Sequence, residues 1–584
     1  MNQSKRESIF DEQMQVILPQ LESYNDYDLL IGIPFYHNNP DLGQVLASVD
    51  EVLQKWIGRR QLIVCVGDAN AADILPTIEK MALHHPHLAF ILPPEASGRG
   101  MSIRALLQIA RKMEVDLLVL NAHMQTDQGK GINIEWLEGL LTPIQGQYDM
   151  VLGSLRQHSG IDSIANMLVA PFLEAFYGSR LRDPLGGIYA ISHDLVEELA
   201  TEAKFWTDSI AGAGIDFWLI TRALSWDKQI CELYMGGNEK ANDIARQNMI
   251  FYDMTQALFE CLRRDSALWL RDRLMIKVTD ILAYNQVEKA DTVTYDLSDI
   301  EQGIKDYYEK SADILKEFLP VENYNQLIHF TEFKTGDYQL SDADWVNSIY
   351  QFFIHYIFGG AAQQTGLLNG LTALFNAKIN SYALEMEKFS AGIKEMEPVQ
   401  QNELVLYKLE STRQHLCAEF RKQKPALSRM WINKAEQAKP PLVPLGYMEY
   451  IPGRPIVMPK KISGKDKRLV NTDDLFKQLR KRYEDRFNNF ITVGLGLSAL
   501  AKSDEIIMAV EEFMLEAEAA VDELFPGDLC ELDGLEQFVA ALFELVPHQR
   551  MFSVHADLLK EMLIRFPPVN LMIPLGFYRP ADLL

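Results

Sequence analysis

The stretch Ser97-Gly98-Arg99-Gly100-Met101-Ser102-Ile103-Arg104 sets two guanidinium groups on a glycine-flexible turn that runs into an apolar helical pattern. Backbone N–H groups at a helix start and arginine forks both suit an anion. This stretch therefore reads either as a phosphate-binding turn or as a plain helix start. Asn121 and His123 end the apolar run 115–120 and offer one amide oxygen and one imidazole nitrogen. Hard cations prefer anionic oxygen, so Mg²⁺ or Mn²⁺ would find a poor, uncharged ligand set there. His123 itself reads as a hydrogen-bonded structural group, a ligand contact or a ligand of a softer metal. Asp216, in Gly214-Ile215-Asp216-Phe217-Trp218, lies where the N-terminal dipole of a helix favours a carboxylate, with or without a further role.

Positioning these groups requires strands that end beside one another. The run 29–33 has the length and branching of a buried strand ended by Pro34, and 42–56 then repeats apolar residues at helical spacing. A strand at 62–66, a helix over 74–83, a strand at 88–92, a helix over 102–112 and a strand at 117–120 follow. Such alternation predicts an α/β fold, a mainly parallel sheet with helices on both faces. Ligands of open α/β sheets sit beyond the carboxyl ends of the strands, which puts residues 34–38, Gly67-Asp68 and 121–123 on one rim.

Length and composition bound the possibilities. A chain of 584 residues is too long for one ordinary core, so two to four domains are expected. With 48% apolar and 23% charged residues it belongs to the soluble globular class, and no run approaches the roughly 20 apolar residues of a membrane span. The first eleven residues are polar and lack the apolar core of a secretory signal, so the expected location is cytoplasmic. A net charge of −25 opposes binding to nucleic acid or anionic lipid. A phosphate-bearing ligand must therefore meet a local basic site. Cys65, Cys231, Cys261, Cys417 and Cys530 are widely spaced and form no Cys-x-x-Cys pair, which predicts free buried thiols.

Taken in order, several segments resemble the bacterial glucosylglycerate and glucosyl-3-phosphoglycerate synthase group of retaining GT-A (Rossmann-like) nucleotide-sugar glycosyltransferases. They are Gly32-Ile33-Pro34-Phe35-Tyr36-His37-Asn38, Gly67-Asp68, Gly98-Arg99-Gly100 with Arg104, Arg156-Gln157-His158, Tyr177-Gly178 through Arg182, Pro184-Leu185-Gly186-Gly187 and Gly214-Ile215-Asp216-Phe217-Trp218. The pattern continues through 254–269, 371–385, Phe420-Arg421 and Lys424-Pro425 to Trp431, about the first three quarters of the chain. The resemblance implies that Pro34 and the loop with Tyr36 receive the nucleotide base and ribose, with Asp68 on the uracil side. It implies that Gly98, Arg99, Gly100 and Arg104 sit at the ribose or diphosphate, and that Leu185, Gly186 and Gly187 form the acceptor loop. Asp216 matches an aspartate that closes the sugar and acceptor site, while Arg156 and His158 either bind an acceptor carboxylate or phosphate or decorate a loop.

Two departures stand out. The family carries an Asp-x-Asp metal motif where this chain reads Asn121-Ala122-His123, and a metal-binding histidine where it reads Met235-Gly236-Gly237-Asn238-Glu239-Lys240. Charge that collects on a departing nucleoside diphosphate has to be stabilised, so without a metal a protein cation must do so. Lys240, helped by Arg99 or Arg104, is one candidate; a solvated surface lysine is the alternative. The leading function is therefore transfer of a hexose from a nucleoside diphosphate sugar to a small hydroxy acid or polyol such as glycerate or 3-phosphoglycerate, with retention implied by the resemblance and no metal assigned. A catalytically degenerate nucleotide-sugar sensor or scaffold is the second reading. Nucleotidyl or phosphoryl transfer, which would need the missing carboxylates, is the third.

Beyond residue 245 the pattern turns helical, over 248–281, 345–358, 367–386 and 404–420. These helices either pack on the sheet domain and wall its acceptor side or build a homodimer. A proline-rich break at 439–459 reads as a stiff linker or wrapping arm. The expected domains are thus 1–245, 246–438 and 439–584, the last a linker and helical extension. Residues 454–486 are locally basic, whereas 511–536 hold ten acidic residues and no basic one. Solvated helix faces or an electrostatic contact between these segments account for that better than a nucleic-acid patch.

Overall fold

The computed structural model describes residues 3–437 apart from 25, 37–38, 40, 57–58, 127–128, 155–163, 204–205, 236–243, 271–275, 284–296 and 334–338, together with the strands Lys467–Asn471 and Leu529–Asp533. The central feature is an eight-stranded sheet. Its strands are β1 (Leu29–Phe35), β2 (Gln61–Gly67), β3 (His87–Ile91), β4 (Asp116–Val119), β5 (Met150–Ser154), β6 (Ile188–Ile191), β7 (Ile230–Tyr234) and β8 (Asp280–Ala283). They lie in the order β8-β7-β5-β6-β4-β1-β2-β3. Only β6 is antiparallel to its neighbours β4 and β5, and the other pairings are parallel, so the expected mainly parallel sheet is present.

Two consequences follow from this order. The chain moves outward from β1 to β2 and β3, then returns to the other side of β1 as β4, which opens a topological switch point beyond the ends of β1 and β4. Because β6 runs backwards, the segment that precedes it reaches the same rim as the segments that follow the parallel strands. Strand β1 also continues through Pro34 rather than ending there. The N–H of Asp68 donates to Phe35 O and that of Leu120 to Gly32 O, so odd residues of β1 bond toward β2 and even ones toward β4. Beyond the Gly32–Val119 pair β4 has ended, so the missing N–H of Pro34 leaves no rung unmade.

Helices cover the sheet as the apolar spacing requires: α1 (Gln3–Ile17), α2 (Leu42–Lys55), α3 (Arg99–Met113), α4 (Ile134–Ile144), α5 (Ala170–Tyr177), α6 (His193–Glu202) and α7 (Ile215–Ser225). One core joins Leu29, Ile31, Ile33 and Phe35 of β1 to Val45, Leu46 and Val49 of α2 and to Trp136, Leu137 and Leu140 of α4. The helix expected over 74–83 is confined to Leu75–Glu79. The chain beyond is drawn away by the Asp50 carboxylate, which accepts the backbone N–H groups of His84 (3.0 Å) and His85 (2.9 Å).

The helical region comprises α8 (Ile244–Arg264), α9 (Leu297–Glu309), α10 (Asp342–Phe358), α11 (Ala361–Ile393) and α12 (Pro398–Gln437), with shorter helices at Ala312–Phe318 and Val321–Phe333. Aromatic contacts hold it together and to the sheet side. Phe251 stacks on Phe375 at 4.0 Å, Phe420 meets Phe172 of α5 at 5.0 Å, and Trp345 Nε1 donates to Met167 O (3.0 Å). The helix expected over 248–281 stops at Arg264, and 280–283 form the strand β8 on β7. An open sheet edge outcompetes the helical option for a short branched run.

The chain divides into two compact units, Met1–Cys261 with Met275–Trp431, and Leu262–Leu274 with Ile432–Leu584. In the second, a short helix Ser266–Trp269 is closed by Trp269 Nε1 donating to Leu262 O (2.7 Å), and Lys467–Asn471 pairs in parallel with Leu529–Asp533. A helical extension was expected after 439, whereas the described parts there are these two strands. The proline-rich break and most of both charged runs lie outside the described residues. No described helix is long and apolar enough to cross a membrane.

Cys65, Cys231 and Cys417 are buried free thiols, and Cys261 is buried too. Burial pushes Cys65 and Cys231 up to about 12 and Cys417 to about 11, which removes the reactive thiolate at neutral pH. Iodoacetamide at pH 8 should leave these three unlabelled in the folded protein and label them after unfolding in guanidinium, read by peptide mass spectrometry. Native labelling of Cys65 would contradict the packing described here.

Candidate functional site

The rim at the switch point is built from six places: Tyr36 after β1, Asp68 after β2, Asn121 after β4, the Gly186-Gly187 pair before β6, the start of α3 and the start of α7. Pro34 lies two residues inside the rim, within β1. Tyr36 is fixed by its own backbone, since its N–H donates to Asn39 Oδ1 (2.7 Å) and its carbonyl accepts from Asn39 N (3.1 Å). Asp68 caps the short turn that follows it, accepting from Asn70 N (3.0 Å).

Arg99, the first residue of α3, ties most of these pieces together. Its Nε donates to both carboxylate oxygens of Asp216 (3.1 Å each), and Nη2 donates to Asp216 Oδ1 (3.0 Å) and to Gly187 O (3.1 Å). Tyr189 of β6 donates its hydroxyl to the same Asp216 oxygen (2.7 Å). Asp216 lies in the first turn of α7, where the dipole favours its charge, and it spends its lone pairs on Arg99 and Tyr189 rather than on capping; the capping position is Gly214.

The electrostatics follow from burial and pairing. Burial pulls the Arg99 guanidinium down, and Asp216, Tyr36 and Tyr189 more than offset it, so Arg99 stays charged. Burial and the Asp216 carboxylate hold the Tyr189 phenol well above its ordinary value. Burial also raises Tyr36, which Arg99 partly counteracts, while Asp216 and Asp68 add to the rise. The Tyr36 hydroxyl is buried and has no hydrogen bond of normal geometry among the described residues. A neutral phenol beside a fixed guanidinium can donate to, or accept from, an incoming polar group.

Asn121 does something an aspartate could not. Its Nδ2 donates to Gly186 O (2.9 Å), so the amide orients the glycine loop where a carboxylate would repel the carbonyl. Gly187 has a positive φ of 70°, and a Cβ there would stand 2.8 Å from Arg99 Nη2 and 3.2 Å from Asn121. Arg99 and Asn121 are thus immediate neighbours across this glycine. His123 lies partly buried in the turn just after Asn121, and Leu185 is partly buried in the turn before Gly186. Among the described residues no three His, Cys, Asp or Glu side chains stand together as a metal site.

Other expected members fall elsewhere. Arg104 does not reach the rim; it donates to Glu7 of α1 (2.8 and 2.5 Å) and lies 4.4 Å over the Phe10 ring, pinning α1 to α3. The Gly98-Arg99-Gly100 turn serves close approach. Gly98 has φ of 124°, a Cβ on Gly100 would stand 2.1 Å from Ile210 O, and the Gly100 N–H donates to Gly212 O (3.1 Å). Arg156, His158 and Lys240 lie in stretches following β5 and β7 that are outside the described residues. Tyr189 was missed by sequence reasoning, although its position two residues after Gly187 at the head of a strand is a usable signal.

No protein-family model and no curated protein matches this chain. Among solved structures it is similar to M. tuberculosis glucosyl-3-phosphoglycerate synthase, over 42% of this chain and 83% of that one, with 14% identity and a TM-score of 0.29. It is similar to mannosyl-3-phosphoglycerate synthase from Rubrobacter xylanophilus over 43% and 79%, with 10% identity and a TM-score of 0.28. A third is S. aureus TarS 1–349 in complex with UDP-GlcNAc, over 62% and 92%, with 11% identity and a TM-score of 0.28. Likeness at this level leaves the chemistry to be argued from the chain's own residues.

If Asn121 holds the glycine loop as described, Asn121→Asp should destabilise the fold by about 1–3 kcal/mol, the cost of a buried acceptor losing its donor and facing a like partial charge. Urea unfolding at pH 7 reads this directly. An unchanged midpoint would mean that the amide contributes nothing to the loop.

Proposed function

We propose that this protein is a GT-A-type glycosyltransferase that moves a hexose from a nucleoside diphosphate sugar to a small hydroxy acid or polyol, with Arg99 standing in for a divalent cation. The observation that carries this is the placement of a fixed guanidinium next to Asn121 at the switch point. A divalent cation does not fit there. The Asn121 amide is engaged with Gly186 O, the neighbouring group is cationic, and no carboxylate cluster surrounds it among the described residues.

The proposed roles rest on these positions and on the chemistry of each group. Tyr36 and Asp68 border the end of the rim suited to a base and ribose. Arg99 binds Asp216 through Nε and Nη2, and a guanidinium carries donors on Nη1 as well. The fork can therefore be shared between Asp216 and a diphosphate oxygen. As the bond between the sugar anomeric carbon and the diphosphate oxygen breaks, negative charge grows on the leaving group, and a preorganised cation stabilises it. The acceptor hydroxyl oxygen bonds to that carbon, and its proton leaves on the departing diphosphate. Gly186 and Gly187, without side chains, leave room for a small acceptor, for which glycerate and 3-phosphoglycerate are the first candidates. Lys240, and Arg156 with His158, are proposed as a second cation and as acceptor contacts.

Thermal unfolding with UDP-glucose, GDP-mannose and the free diphosphates, each with Mn²⁺ and with EDTA, tests this. A ligand at about 100 times its dissociation constant stabilises the fold by about 2.7 kcal/mol. Stabilisation by at least one donor should survive EDTA and be lost in Arg99→Met. Donor stabilisation that requires Mn²⁺ would refute the cation substitution, and stabilisation without transfer to any acceptor would leave a nucleotide-sugar-binding scaffold.

A further inference from the structure

The loop 181–187 is held at both ends by side chains from distant parts of the chain. At its glycine end Asn121 and Arg99 take the carbonyls of Gly186 and Gly187 (2.9 and 3.1 Å). At its other end the Glu232 carboxylate, on β7, accepts the backbone N–H groups of Arg182 (2.9 and 2.8 Å) and Asp183 (2.8 Å). Arg413 of α12 donates Nη1 to Leu181 O (2.9 Å), and its Nη2 is locked by Glu410 on the same helix (2.8 and 3.1 Å).

Glu232 is 1% exposed and Arg413 7%. Burial raises the Glu232 carboxyl, opposed by the Asp183 and Arg182 N–H groups and by the charge of Arg413. A buried charge on a strand is an expensive way to fill space, since an apolar side chain of similar size would pack there at lower cost. What the carboxylate supplies that an apolar group cannot is three hydrogen bonds to one loop.

From this geometry we infer that Glu232 and Arg413 are positioning residues that fix the far end of the 181–187 loop, making helix α12 part of the acceptor side of the site. The inference rests on the proposed reading of Leu185-Gly186-Gly187 as the acceptor loop. Sugar transfer to a small acceptor needs the loop held to within a fraction of an ångström, and these contacts tie residues 181–183 to β7 and α12.

Hydrogen–deuterium exchange on the full-length protein tests the hold, comparing wild type with Arg413→Met, Arg413→Lys and Glu232→Gln. The amides of Arg182 and Asp183 should exchange about tenfold faster in Arg413→Met and Glu232→Gln, with β1 and β2 unchanged and part of the protection recovered in Arg413→Lys. In transfer from UDP-glucose to 3-phosphoglycerate, KM for the acceptor should rise about tenfold in Arg413→Met while KM for the donor stays within about twofold. Wild-type exchange at Arg182 and Asp183 in Arg413→Met, or a donor KM that rises in parallel, overturns the inference. If Glu232→Gln does not fold, the two Arg413 variants decide. A wild-type protein that transfers nothing fails the proposed function alone, because the exchange measurement reads the loop without catalysis.

Discussion

The contact on which the site depends is the ion pair between Arg99 and Asp216, closed by Tyr189 and Gly187 O. It joins the first turns of two helices to the start of the reversed strand. Such a pair repays its desolvation only when its geometry is good and its remaining hydrogen-bonding capacity is satisfied. Here Nε spans both carboxylate oxygens and a tyrosine completes one of them. Each helix start also contributes, because a carboxylate at the N-terminus of α7 is favoured by the local dipole, whereas a guanidinium at the N-terminus of α3 is not. The pair therefore leans on Asp216 to hold Arg99 at a position that its own helix disfavours.

The reversed strand gives this pair its purpose. In a purely parallel sheet the loop 181–187 would lie at the opposite edge; the antiparallel β6 brings Gly186 and Gly187 to the rim and aims Tyr189 inward. Backbone carbonyls of that loop are then claimed by Asn121 and Arg99, and its N–H groups by Glu232. A loop fixed through its backbone can carry glycines without losing shape, and glycines are what leave space for a ligand.

Much of this was legible from residue patterns. Strand ends are marked by apolar runs, so the rim with Tyr36, Asp68 and Asn121 could be placed before any coordinates. Asp216 and the paired glycines stood out by position. What the pattern hides is direction across an element. Arg99 and Arg104 are five residues apart on one helix, so they face different neighbours, and only one of them looks toward the rim. Pro34 was misplaced for the same kind of reason, because whether a proline ends a strand depends on which side its nitrogen faces and whether a neighbour is still there. The run at 280–283 is equally ambiguous as helix or strand until the open edge of β7 decides it.

Asn121 and Arg99 together change the kind of cation available to the proposed reaction, not only its identity. Two carboxylates with a divalent ion sum to zero charge, and so does Arg99 with Asp216 beside a neutral Asn121, so the pocket need not be more positive overall than a metal-binding one. The difference lies in strength and mobility. At equal distance a single charge interacts with a diphosphate oxygen half as strongly as a double one. A guanidinium compensates in part by presenting directed donors that need no rearrangement when charge develops. One such group leaves a deficit on a diphosphate, and the place to look for the rest is the stretch after β7 that carries Lys240, because that strand ends on the same rim as β1, β2 and β4.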